Sequence, residues 1–293
     1  AAAWAAGGAL QTAVTFASGG GTQTAGLSIG GYSGAASTTA QAVANEYDGS
    51  SWAAGGSLSA TAKSFGGLSS FSGTQTSMLY WGGYGNSPYA ARNNVSSYDG
   101  SSWTAQSVFP STANYGGGAG TQIAALSISG HAPSLTTTVM ESDGSYNWTA
   151  GGALAGAARY SNSTGGPQTA AITAGGGPIP AAVDTEEYNG TSWTAGGNLL
   201  SKRIRGGGFG AGPDDWVFAG GALPSLTTNV EAYNGTSWST RASLATARDL
   251  AAGSGNVGTS GLIAGGGTPS KTTATEEFTG ETSAINIKTF TTS

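Results

Sequence analysis

Any chemistry this chain performs must come from a short inventory of side chains. It holds one histidine, His131, and no cysteine. A Ser/His/Asp triad, a His-based metal site or a thiolate site therefore cannot be assembled within one chain. The closest acidic pairs are Asp214-Asp215 and Glu186-Glu187. Neighbours along a strand point to opposite faces, and Asp214-Asp215 falls in a predicted turn, so neither pair supplies the facing carboxylates that glycoside cleavage needs. What remains is binding chemistry. Lys63, Arg159, Arg203 and Arg248 recur ten or eleven positions after a tryptophan, in a chain with only ten basic residues. Gathered on one face they would form a cationic ring for acidic sugars or a partner's carboxylates; alternatively each caps strand ends and lays its stem over neighbouring glycines. Tyr32, Tyr84 and Tyr89 would lie in loops on that same face, able to stack on sugars, and His131, a loop residue there, completes the ligand-binding candidates.

The elements that would position these residues are legible as a repeat. YDGSSW occurs at Tyr47–Trp52 and Tyr98–Trp103, YNGTSW at Tyr188–Trp193 and Tyr233–Trp238, and SDGSYNW at Ser142–Trp148. Trp4, Trp52, Trp103, Trp148, Trp193 and Trp238 are 48, 51, 45, 45 and 45 residues apart, and a glycine pair or Ser129-Gly130 follows each by 26 to 30 residues. Periods of about 40 to 50 residues belong to propeller blades, and no 3.6-residue apolar rhythm favours helical repeats. Short apolar runs ending in glycine, such as DWVFAGG (215–221) and TAAITAGG (169–176), read as buried strands. The Asn-Gly and Asp-Gly steps read as type I′ turns, whose central residues both need positive φ. Each unit thus predicts four strands: a innermost and glycine-rich, b ending in the glycine pair, c ending in the motif tyrosine, d opening with tryptophan.

Composition excludes several partners. Charged residues make up 9% of the chain and the net charge is −5, which offers no basic stripe for nucleic acid and no charge-driven membrane binding. No apolar run reaches the ~20 residues of a membrane helix, and the N-terminus lacks the charged region of a signal peptide, so a soluble chain is expected. The phased aromatics argue against disorder despite 52 glycines. Several Asn-X-Ser/Thr sequences, among them Asn189-Gly190-Thr191 and Asn234-Gly235-Thr236, coincide with the repeated turn, which accounts for them.

The glycine pair closing one strand, the aromatic closing the next and the tryptophan opening a third resemble the kelch repeat, across essentially all of residues 1 to 280. The NGTSWTAGG phrase at Asn189–Gly197 and GTQTA at Gly21–Ala25 are similar to kelch-like repeats in virion and tail-associated proteins of marine bacteriophages. The resemblance implies an all-β, six-bladed propeller over residues 1–293. Kelch propellers that oxidise alcohols need histidine ligands and a cysteine crosslinked to tyrosine, which this chain cannot supply. The expectation is a non-enzymatic structural or adhesive module, on a virion surface or extracellular, without cofactor or metal. Its partners would be other assembly subunits or a host surface glycan, with neither nucleic acid nor membrane insertion. The alternatives are a sialidase- or lyase-like enzyme acting on polysaccharide and an intracellular kelch adaptor.

The ends of the chain are complementary. Trp4 opens a d strand with no c strand before it, and residues 272–280 supply a c strand without a standard d. Ala1 to Leu10 would then complete the sixth blade, leaving no open edge between first and last blades. The alternating residues 285–290 offer a second candidate for that place.

Overall fold

The computed structural model describes residues 1–33, 39–58, 70–86, 89–112, 114–130, 134–178 and 182–281. Six four-stranded antiparallel sheets form the ring. Blade 1 is built from Ser18–Gly21, Gly26–Ile29, Val43–Tyr47 and Trp52–Ser57. Blade 2 holds Ser70–Thr74, Ser77–Trp81, Val95–Tyr98 and Trp103–Ala105. Gly117–Thr121, Ala124–Ile128, Val139–Ser142 and Trp148–Ala150 make blade 3. Blade 4 follows with Ser163–Gly165, Ile172–Ala174, Thr185–Tyr188 and Trp193–Ala195. Blade 5 contains Gly207–Gly212, Asp215–Ala219, Val230–Tyr233 and Trp238–Thr240. Blade 6 takes Ala252–Val257, Ser260–Ala264 and Thr275–Thr279, and its outer strand is Ala3–Gly7. Inner strands of successive blades adjoin all the way round, the first meeting the sixth. Among the described residues there is no helix.

The N-terminal strand therefore closes the ring, with Ala3 opposite Thr279 and Gly7 opposite Thr275. Residues 285–290, the other candidate for that seat, lie outside the described residues.

The core lies between blades, because each sheet buries both faces against its neighbours. Ile172, Ala174 and Leu199 of the fourth blade, for example, pack on Trp216, Phe218, Tyr233 and Trp238 of the fifth. Leu10, Leu58, Phe109, Leu154, Leu199 and Leu244 each stand six residues after a motif tryptophan. All six are buried. The backbone N–H of each donates to the loop between strands b and c, as in Leu58 to Ala42 O at 2.7 Å. Burying such a side chain stabilises by about 1.5–3 kcal/mol, so this register fastens every blade to its neighbour and to its own loop.

Inner strands approach so closely that a Cβ on Gly253 would stand 2.4 Å from the Gly208 carbonyl oxygen of the preceding blade. The repeated c–d turn departs from the type I′ expectation. Four residues, 48–51 in blade 1, separate the paired Tyr47 and Trp52, and of the Asp48-Gly49 step only Gly49 takes positive φ, at 91°. Asp48 acts through its side chain: Oδ1 accepts from the backbone N–H groups of Ser50 and Ser51 at 2.8 and 2.7 Å. Asn189 and Asn234 do the same in their blades. Hydrogen bonds from Ser51 and Ser50 pull the Asp48 carboxyl down to about 2.

Candidate functional site

The recurring basic residues do not form an exposed ring. Arg159, Arg203 and Arg248 are 0%, 1% and 2% exposed, and their guanidinium groups meet Glu186, Glu231 and Glu276 at 2.6, 2.7 and 2.6 Å. Each also donates to the carbonyl two residues before its glutamate, Arg159 to Asp184 O at 2.6 Å, Arg203 to Asn229 O at 2.8 Å and Arg248 to Ala274 O at 2.9 Å. The stem of Arg203 carries its guanidinium over the Phe218 ring at 4.8 Å. These side chains tie the segment between strands d and a onto strand c of the blade it enters. Lys63, the fourth member, and His131 lie outside the described residues.

The acidic pairs are divided as alternation requires. Glu186 faces Arg159, whereas Glu187 accepts from the Tyr233 hydroxyl of the next blade at 2.6 Å. That second bond recurs. Tyr98 donates to Glu46 at 2.6 Å, Tyr188 to Glu141 at 2.5 Å and Tyr47 to Glu277, each reaching back one blade. The same hydroxyls accept a backbone N–H from strand d or its end, as Tyr233 does from Gly197 at 3.0 Å.

Burial, then the bond to the glutamate, raises all four phenols, and Tyr233 is pushed up to about 12. Because the folded value lies above the ordinary phenol value near 10, this stabilisation is complete below pH ~10 and is lost as pH rises through about 12. Denaturation measured along that alkaline limb should show a shallower fall for Tyr233→Phe than for the native chain. Superimposable limbs would place the titration elsewhere.

A third recurrent group clasps the opposite face. Gln23, Gln75, Gln122 and Gln168 stand in the turns between strands a and b. Each carboxamide nitrogen donates to two carbonyls of the previous blade, Gln75 to Gly26 O at 3.0 Å and Tyr47 O at 2.7 Å, Gln122 to Met78 O at 3.1 Å and Tyr98 O at 2.7 Å. Asp215 takes a related role from the other side, its Oδ2 accepting from Gly258 N of blade 6 at 2.7 Å. The GTQTA phrase is thus an inter-blade clasp. Its signal in the sequence was the recurrence of glutamine at 23, 75, 122 and 168, in step with the tryptophans.

The channel opens on this face as a cavity of about 320 Å³ walled by inner-strand backbone, with Thr164, Trp216 and Asn256 among its few larger side chains. None of its lining residues is ionisable. At the other end the cavity is about 40 Å³ and is lined by residues entering the inner strands, among them Ala17, Gly116, Asn162 and Gly206. Tyr32, expected to stack on sugars there, is 0% exposed, with Phe16 edge-on at 5.9 Å; a sugar cannot reach its face. Tyr84 and Tyr89 begin the paired strands Tyr84–Asn86 and Tyr89–Ala91 of a loop hairpin. Among the described residues no group of three His, Cys, Asp or Glu side chains is placed to hold a metal ion.

Six blades of four antiparallel strands around a backbone-walled channel define a six-bladed β-propeller. Among solved structures the chain is similar to that titled "Structure of YjhT", with a TM-score of 0.71 over 91% of this chain and 95% of that one, at 14% identity. Likeness at this identity shows the fold alone. No protein-family profile and no curated protein matches the sequence.

Proposed function

We propose that this chain is a rigid, non-enzymatic display module of an exposed assembly, such as the tail or surface of a phage particle. It presents the loops between strands b and c, and those between d and a, to a cell-surface glycan or to neighbouring subunits. One observation carries the reading: the charged side chains that recur with the repeat are engaged in holding blades together. The three described arginines of the set are buried against glutamates, and four more glutamates anchor tyrosines of the adjacent blade. The repeat supports a platform, and side-chain variety is left to the loops. The kelch-like phrasing shared with phage virion repeats agrees with this placement on a particle or outside a cell.

Immobilised glycans provide the test. The purified chain is expected to be retained on a subset of them, and the same glycans, incubated with it in solution and weighed by mass spectrometry, should be recovered intact. Shortened or eliminated products would overturn the reading in favour of a polysaccharide-cleaving enzyme.

A further inference from the structure

The sequence contains two Asn-Gly steps, Asn189-Gly190 and Asn234-Gly235, and both belong to the repeated c–d turn. Blades 1, 2 and 3 hold Asp48-Gly49, Asp99-Gly100 and Asp143-Gly144 at the same place. Asparagine and aspartate are therefore alternative occupants of one turn, and they accept like bonds. Asn189 Oδ1 accepts from Thr191 N at 3.0 Å and Ser192 N at 2.9 Å, and Asn234 Oδ1 from Thr236 N at 3.0 Å and Ser237 N at 2.9 Å. Asp99 Oδ1 accepts from Ser101 N and Ser102 N at 2.9 and 2.8 Å.

An asparagine followed by glycine stands beside its own nucleophile. The next backbone nitrogen can attack Cγ, and glycine brings no Cβ to hinder the approach. Three features of this turn serve that reaction. Among the described residues the N–H groups of Gly190 and Gly235 donate to no acceptor, so the turn does not tie up the nitrogens. Asn189 and Asn234 are exposed, which admits water. The two N–H groups on each Oδ1 stand where negative charge develops as Cγ becomes tetrahedral, at distances suited to an oxyanion.

We infer that Asn189 and Asn234 are self-modifying sites, deamidated to aspartate by the folded turn with water as the co-reactant. The Gly190 nitrogen forms a bond to Asn189 Cγ and gives its proton to solvent. The Cγ–Nδ2 bond breaks, and that nitrogen takes up a proton and leaves as ammonia, closing a five-membered imide. Water then adds at Cγ and cleaves its bond to the Gly190 nitrogen, which regains a proton as the carboxylate forms. Asn234 and Gly235 follow the same course. The fold has a seat for the product, since Asp48 and Asp99 already occupy it in blades 1 and 2. Each event adds a negative charge to a chain whose net charge is −5. This chemistry is independent of what the loops bind.

The aspartates of the first three blades resist the same attack, because a carboxylate must be protonated before Cγ becomes electrophilic. Hydrogen bonds from Ser51 and Ser50 hold Asp48 down to about 2. Bonds led by the Ser102 N–H hold Asp99 low, and bonds led by the Asn147 side chain do so for Asp143.

Incubation of the native chain at mildly alkaline pH, followed by digestion and mass spectrometry, tests this against synthetic peptides of residues 185–195 and 230–240 in the same buffer. Asn189 and Asn234 should convert about tenfold faster in the folded chain than in the peptides. The other asparagines should convert more slowly, and Asp48 and Asp99 should yield no isoaspartate. On an anion exchanger the aged chain should move to the position of the double variant Asn189→Asp with Asn234→Asp, which should melt with the native chain. Conversion in the folded chain no faster than in the peptides would overturn the assignment, since the turn would then contribute nothing. So would equal conversion at the other asparagines, isoaspartate at Asp48 as abundant as product at Asn189, or a double variant melting well below the native chain.

Discussion

Replacing Arg159 by methionine should destabilise the propeller by ~3–5 kcal/mol, the cost of leaving a buried carboxylate without its counter-charge. Glu186 is held in place to receive that charge: its Oε2 accepts from Ala155 N at 2.7 Å and Gly156 N at 3.2 Å, while Oε1 meets the guanidinium. With the arginine gone those two N–H groups remain, too little to compensate desolvation of the anion. The double change Arg159→Met with Glu186→Gln should recover most of the loss, since it removes both charges and keeps an acceptor for the two N–H groups. Blade 1 already carries such an uncharged version. Val14, which occupies the arginine's place, is 3% exposed, and its carbonyl accepts from Gly266 N at 2.8 Å as the Arg159 carbonyl accepts from Gly130 N at 2.9 Å; Asn45 stands where the glutamate would be. Denaturant titration of the two single variants and the double decides the matter. A single-variant loss below ~1 kcal/mol, the range of an exposed pair, would show that water reaches the site.

The ring was readable because its signals repeat. Tryptophans, glycine pairs and turn asparagines recur at fixed spacing, and each satisfies a local requirement that sequence states directly. The roles of the arginines were harder to read. A basic residue in a predicted loop has the same appearance whether it faces solvent or a glutamate some 27 residues later. Only the pairing of Arg159 with Glu186, Arg203 with Glu231 and Arg248 with Glu276 separates the two, although these glutamates recur in their own register before the motif aromatic. The turn was misread for a related reason: Asn-Gly identifies a hairpin, but whether asparagine contributes its backbone or its side chain depends on loop length.

Matched absences show that the inter-blade bonds are organised as pairs. Blade 3 has Ser142 in place of the motif tyrosine, and blade 2, which would receive it, has Ser97 in place of the glutamate. Blade 6 has Phe278 and blade 5 has Ala232. Neither seam keeps an orphaned carboxylate or phenol. Both carry aromatic clusters across the blades: Trp81 and Phe109 lie 5.0 and 4.8 Å from Trp148 at one, and Phe209 and Phe278 lie 6.1 and 5.0 Å from Trp4 at the other. Two solutions to the same packing problem, one polar and directional and one apolar, share a single ring. The two apolar seams stand three blades apart, so the halves between them are each held by two tyrosine–glutamate bonds.

Trp4 belongs to one of those clusters and to the closing strand at once, which makes the N-terminus the second place of large expected effect. Removing residues 1–8 takes away five paired residues of the outer strand, the indole's contacts with Phe209 and Phe278, and its hydrogen bond to Ala242 O at 2.8 Å. Loss of a fully buried large aromatic costs ~3–5 kcal/mol; Trp4 is partly buried, but the paired strand leaves with it, so the truncated chain should unfold at distinctly lower denaturant. It should also associate, because Thr275–Thr279 would become an unpaired sheet edge. Gel filtration is expected to show dimers or larger species, and a synthetic peptide of residues 1–10 should restore both the monomer and the unfolding midpoint by taking back its seat. A truncated chain as stable as the native one, and indifferent to the peptide, would mean that another segment closes the sixth blade.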